Sequence, residues 1–153
     1  GNPLTSRLGT RLVKSEPAVY PYSALEADGR TDWTGIRNYQ ARNNLRSMQP
    51  GDLALYYHTG EDKAVVGLAK VASQPAPDPT APGEDWASVV LTPVARLVTP
   101  VSLTQIRKTS ALKDFCLVRQ GRLSVAAVEQ RHFELILKLS GTKLKTRPTR
   151  AGR

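Results

Sequence analysis

Chain breakers limit what this sequence can fold into more than any other feature. Pro50-Gly51-Asp52 is a turn signal that opens onto the β-prone run Leu53–His58, the polar turn Thr59–Asp62 and a second β-prone run, Ala64–Ala72. Two such runs joined by a short polar turn predict an antiparallel hairpin. Breakers recur on both sides of it. Pro17 ends a first strand over Arg11–Ser15, and Gly29 stops a short helix over Ala24–Asp28, where Ser23 and Glu26 have capping-box spacing. Thr31–Arg37 is polar, contains Gly35 and reads as a loop. Asn38–Met48 reads as a helix with Asn38 as its cap.

The second half is cut as finely. Pro75, Pro77, Pro79 and Pro82 make Gln74–Gly83 a surface loop, and Trp86–Val98 is a long strand kinked or bulged at Pro93. Ser102 and Gln105 repeat the capping spacing and start a helix; a second short one is expected over Leu112–Phe115. Gly121 precedes a strand over Leu123–Val125, and Ala127–Leu139 is a closing helix stopped by Gly141. The regular strand–helix alternation of a doubly wound sheet is absent, so the expected fold is α+β: a β-barrel-like sheet of about five to six strands with short peripheral helices.

At 153 residues the chain has the length of one domain. Residues 1–10 are expected to be a flexible segment, 11–140 the folded domain, and 141–153 a basic, flexible tail. Six of the +9 net charges come from Lys138, Lys143, Lys145, Arg147, Arg150 and Arg153, a stretch with no acidic residue. Such a stretch is either a phosphate-seeking arm or a solubilising tail. No apolar run approaches the roughly 20 residues of a membrane span, and the first nine residues carry no apolar core of a secretory signal. Cys116 is the single cysteine, so no intrachain disulfide forms. Its apolar neighbours Phe115, Leu117 and Val118 mark it as packing.

Candidate chemistry sits in the first 60 residues. Tyr20, Tyr22, Trp33, Tyr39, Tyr56 and Tyr57 are six of the nine aromatic residues. Trp33, in a polar loop, is either an anchor tucked into the core or the wall of a pocket for a planar ligand. Arg37–Asn44 holds four amide side chains and two arginines, groups that match base edges and phosphate; a solvated helix start is the plainer reading. Alternation along Tyr56-Tyr57-His58 sets Tyr57 on the opposite face from Tyr56 and His58. No nucleophile elbow, P-loop, dinucleotide or zinc-protease motif is present, and two separated histidines with one cysteine make no soft-metal cluster. No cofactor is expected and the chain reads as non-enzymatic; His58 or Glu16 is the proton-transfer candidate if it is an enzyme acting on a nucleotide.

Leu12-Val13-Lys14-Ser15-Glu16-Pro17, the block Asp32–Asn44, Gly51-Asp52, Tyr56-Tyr57-His58, Val66–Ala69, Pro77-Asp78-Pro79-Thr80 and Gly121–Val125 follow in the order seen in the EVE domain family, which this chain resembles from about Leu12 to Leu139. The resemblance implies a PUA-like fold related to the YTH readers of methylated adenine. It implies binding of a modified base, such as 5-methylcytosine or an oxidised form, carried by DNA or RNA. The site it implies is Lys14 and Ser15 from the first strand; Trp33, Arg37, Asn38 and Tyr39; Tyr57 and His58; and Arg122 and Ser124. It turns Trp33 from anchor to stacking wall. Partners are then modified nucleic acid and no membrane, with a monomer in the cytoplasm of a bacterium or the nucleus of a eukaryote. One position departs from the family: Arg11 stands where many members carry an aromatic residue, so that a wall of the cage is lost or replaced by a guanidinium. An RNA- or protein-binding scaffold without base selectivity is the other alternative.

Overall fold

The computed structural model of the chain describes residues 9–143. Most of the N-terminal segment and most of the basic tail lie outside them.

β1 (Thr10–Ser15) carries Leu12 and Val13, both fully buried although they point to opposite faces. A strand covered on both sides needs consecutive apolar residues, which is why this stretch does not alternate. β3 (Leu53–His58) lies parallel to β1, with Lys14 beside Tyr57 and Ser15 beside His58. β4 (Ala64–Val71) returns antiparallel to β3, completing the expected hairpin. The long strand β6 (Ala87–Ser102) follows β4, and its register slips between the pairs Leu68–Ala95 and Ala69–Pro93. That bulge falls at Pro93, where a missing N–H was expected to bend the strand.

Thr31–Arg37 is not all loop. Its first three residues form β2 (Thr31–Trp33), antiparallel to β6 at Val89–Leu91. The strand is made by its partner, since Thr31 and Asp32 carry no apolar pattern of their own. β5 (Ala76–Pro77) pairs with β6 off the main path, and β7 (Val125–Ala127) closes the other edge on β1. The sheet runs β2-β6-β4-β3-β1-β7 and curls into a half-barrel.

The helices pack on this sheet. α1 (Tyr22–Asp28) begins after Pro21, and Ser23 does not cap it. The first helical N–H, that of Tyr22, donates instead to His58 Nε2 at 3.0 Å. Tyr22 lies across Gly67, where a β-carbon would come within 2.6 Å of the ring. Its hydroxyl donates to the Leu68 carbonyl at 2.6 Å. α2 (Tyr39–Arg46) starts on Asn38, whose Oδ1 accepts from Ala41 N at 2.9 Å, as expected of a cap. Ser102 caps α3 (Leu103–Lys108) in the same way through Gln105 N.

Later boundaries shift. A 3-10 turn at Ser110–Leu112 and α4 (Cys116–Arg119) replace the helix expected over Leu112–Phe115. α5 (Gln130–Ser140) starts three residues late because residues up to Ala127 stay in the sheet. It ends at Gly141, left-handed at φ 74°.

Candidate functional site

Trp33 ends β2 and turns inward, with 9% of its surface exposed. Tyr20 and Tyr56 meet it edge-on, with centroids 6.5 and 5.6 Å away. Tyr22 meets Tyr56 in the same way at 5.2 Å. Four of the six clustered aromatics therefore form one edge-to-face nest, the arrangement ring quadrupoles favour. Polar bonds fasten it to the end of β1. Ser15 Oγ and Tyr56 Oη both donate to the Tyr20 carbonyl, at 2.6 and 2.8 Å. Burial pushes the Tyr56 phenol up to about 12, so it remains a donor at every physiological pH.

His58 sits beside this nest, buried, and both ring nitrogens are used. Nε2 accepts from Tyr22 N, which requires the tautomer whose Nδ1–H donates to Asp62 Oδ2 at 3.0 Å. The imidazole thus latches the segment Tyr20–Tyr22 against the sheet.

The loop from Thr34 to Asn38 is pinned by Asp78, from the proline-rich segment expected to be a surface loop. Asp78 is 1% exposed. Its Oδ2 accepts from Gly35 N at 2.8 Å and Arg37 Nη1 at 3.1 Å. Its Oδ1 accepts from Thr80 N and Thr80 Oγ1, both at 2.7 Å. Burial pushes this carboxyl upward, but the bonds from Thr80, Gly35 and Arg37 outweigh it and hold the group well below the usual carboxylate range. Gly35, at φ 81°, takes a left-handed conformation suited to glycine. The signal for Asp78 was local: an Asp between Pro77 and Pro79 with Thr80 two residues on is an Asx-turn pattern.

The remaining nominated residues are divided. Lys14 and Tyr57 share the sheet face opposite Ser15, Tyr56 and His58. Lys14 Nζ donates to the Gly121 carbonyl, and its backbone N–H donates to Ser124 O at 3.1 Å. Ser124 therefore borders β1 from the other edge, while Arg122 is exposed on the same turn. Burial lowers the Lys14 pKa.

Tyr39 lies apart from Trp33: it stacks on Trp86 with centroids 5.2 Å apart and 18° between planes. Beyond Trp86 is a cleft of about 370 Å³ lined by Arg46, Pro75, Ala76, Pro77, Glu84, Asp85, Trp86 and Ala87, none of them nominated from the sequence.

Arg11 does not face the nest. Its guanidinium donates to the carbonyls of Thr10, Asn44 and Ser47 and to Ser47 Oγ, satisfying the C-terminal end of α2. It stands four residues from Ser15, about 13 Å along the strand.

Among the described residues no group of three or more His, Cys, Asp or Glu side chains could hold a metal ion, and no helix is long and apolar enough to cross a membrane.

A family model described as the EVE domain matches residues 12–139. Thymocyte nuclear protein 1 of Mus musculus is 31% identical over 159 residues, covering 88% of this chain and 70% of its own length. The crystal structure of a protein from Agrobacterium tumefaciens is 36% identical with a TM-score of 0.85, over 88% of this chain and 94% of its own. Human THYN1, solved in complex with DNA containing 5-methylcytosine, is 27% identical with a TM-score of 0.81, over 89% of this chain and 99% of that one. The PUA-like, β-barrel-like sheet expected from the sequence is borne out by the curled half-barrel, the fold these relatives share.

Proposed function

The chain belongs to the EVE domain family, and from that premise we propose that it is a non-catalytic module that reads a modified nucleobase, 5-methylcytosine or an oxidised form, carried by DNA or RNA. The observation that carries this reading is the human relative in complex with 5-methylcytosine DNA, which matches 89% of this chain. A target base inside a duplex is first extruded, because neither its methyl nor its Watson–Crick edge can enter a pocket while stacked.

The Trp33 nest is the receiving site. Trp33 supplies the stacking face. Tyr20, only half-buried, is the neighbour that turns aside to admit the ring. Ser15 Oγ spends its proton on the Tyr20 carbonyl and keeps lone pairs for an exocyclic amine. Asn38 spends its oxygen on Ala41 N and keeps its NH₂ for a base carbonyl. Arg37 and the basic tail hold phosphate beside the nest, and Lys14 and Arg122, at the β1 edge bordered by Ser124 and away from the nest, hold phosphate farther along the strand. Tyr57 and His58 support the site from the sheet and do not touch the ligand.

The engagement of both His58 nitrogens supports a binding role over catalysis, since neither is free to take a substrate proton. The module works as a monomer, in the nucleus of a eukaryote or the cytoplasm of a bacterium. Trp33→Phe keeps an aromatic ring in the core. It is expected to weaken binding of a methylated oligonucleotide by about tenfold, roughly 1.4 kcal/mol, and to leave binding of the unmethylated one within about twofold. Unchanged discrimination in the folded variant would remove Trp33 from the site.

A further inference from the structure

Tyr39 and Trp86 form a second aromatic site that the base-reading nest does not use. The edge-on contacts of the nest are self-contained, whereas this pair stacks nearly parallel, 18° between planes. Arg42 lies 5.1 Å from the Tyr39 ring centre and 5.9 Å from that of Trp86. With the rings 5.2 Å apart, near-equidistance sets the guanidinium beside the pair, not over the outer face of Tyr39. Arg42 is 14% exposed and bound to Asp85, which also holds Arg46, and Arg37 approaches Trp86 at 5.7 Å. The stack is therefore braced from its sides. Trp86 covers one face of Tyr39, yet Tyr39 is 67% exposed. A ring covered on one face keeps that much surface only when the other face is open.

We propose that Tyr39, backed by Trp86, is a stacking platform for an unpaired base of the same strand that delivers its neighbour to the Trp33 nest. The proposal rests on the base-reading function above. Extruding one base leaves flanking bases without stacking partners, and an open aromatic ring bordered by arginines accepts any of them, because every base has a π-face. Tyr39 follows Trp33 by six residues in one segment. Six residues span at most about 20 Å, so the platform lies within about six stacked nucleotides of the nest. The platform adds affinity without sequence preference; the nest supplies the selectivity.

The test uses the full chain and single-stranded oligonucleotides with one 5-methylcytosine and 2-aminopurine at each flanking position in turn. A binding-induced change in emission confined to one flanking position is expected. It is lost in Tyr39→Ala and retained in Tyr39→Phe. Tyr39→Ala should weaken binding of the long oligonucleotide by about five- to a hundredfold and leave the methylated-to-unmethylated ratio unchanged. No position-specific change in the wild type, or a change that survives Tyr39→Ala, overturns the platform. So does loss of methyl discrimination in Tyr39→Ala, which would put Tyr39 in the base pocket. A wild type that ignores the methyl but shows the Tyr39-dependent signal overturns the base-reading function and leaves the platform standing.

Discussion

Replacing Asp78 with Asn changes one atom type at the point where the Trp33–Asn38 loop is fastened. The carboxylate accepts two bonds on each oxygen: Gly35 N and Arg37 on one, Thr80 N and Thr80 Oγ1 on the other. Asparagine has one accepting oxygen and one donating NH₂. If the oxygen stays on Gly35 and Arg37, the NH₂ faces the Thr80 N–H, and only the Thr80 hydroxyl can reverse to accept. An orphaned buried N–H costs about 1–3 kcal/mol, and each surviving bond loses its charge assistance, about 1 kcal/mol apiece. Relief of the buried charge offsets part of this. The offset is the smaller effect, because the carboxyl is held below its ordinary pKa despite burial. A net loss of about 3 kcal/mol at pH 7 follows, or roughly 6–12 °C in Tm for a chain of this length. The pH dependence has a definite sign. A depressed folded-state pKa stabilises the protein above the unfolded value of about 3.9 and stops doing so as pH falls below it. Thermal unfolding of both proteins should therefore show a full difference at pH 5–7 that shrinks below about pH 4. A loss under about 1 kcal/mol at pH 7, or a gap that widens on acidification, would refute the assignment of Asp78 as the fastening.

Other consequences follow from burial and bonding elsewhere. His132 is 2% exposed, edge-on to Phe115, and its Nε2 has no partner among the described residues. Burial lowers its pKa, so the folded state prefers neutral imidazole, and stability should fall as pH drops below about 6.5. His132→Leu should flatten that slope in urea titrations, and an unchanged slope would assign it to another group. Cys116, pushed up to about 12 by burial, should resist alkylation at pH 8 until denaturant is added. Rapid labelling of the native protein would contradict its burial. Arg11→Ala should lower stability by about 1–2 kcal/mol through the exposed end of α2. It should leave methyl discrimination intact; lost discrimination would place Arg11 in the pocket after all.

How far the fold could be read from the sequence depended on how local each cause was. Leu53–His58 was predicted to the residue because Pro50-Gly51 and the Thr59–Asp62 turn bracket it. Asn38 was recognisable as a cap because its partner, Ala41, is three residues away. Ser23 was misassigned because the N-terminus of α1 is satisfied by His58, from a strand 36 residues on. β2 was missed because its strand character comes from pairing with Val89–Leu91. The candidate site divides in the same way. The aromatic clustering pointed to a nest that exists, but Tyr57 lies behind the sheet and Tyr39 has a distant partner in Trp86. Asp78 showed a local Asx-turn pattern with Thr80, but its burial was not legible because it also depends on Gly35 and Arg37, 43 and 41 residues away. The question raised by Arg11 also has a non-local answer, the carbonyls of Asn44 and Ser47.

Base selectivity is the central claim, and it needs no variant to test. The wild-type chain is titrated at fixed salt with two single-stranded oligonucleotides identical except for the 5-methyl group on one cytosine. A methyl group seated in an apolar pocket is worth about 1–3 kcal/mol, so the methylated strand should bind at least about fivefold more tightly. Equal affinities, both falling steeply as salt is raised, would mean that the chain grips phosphate and reads no base.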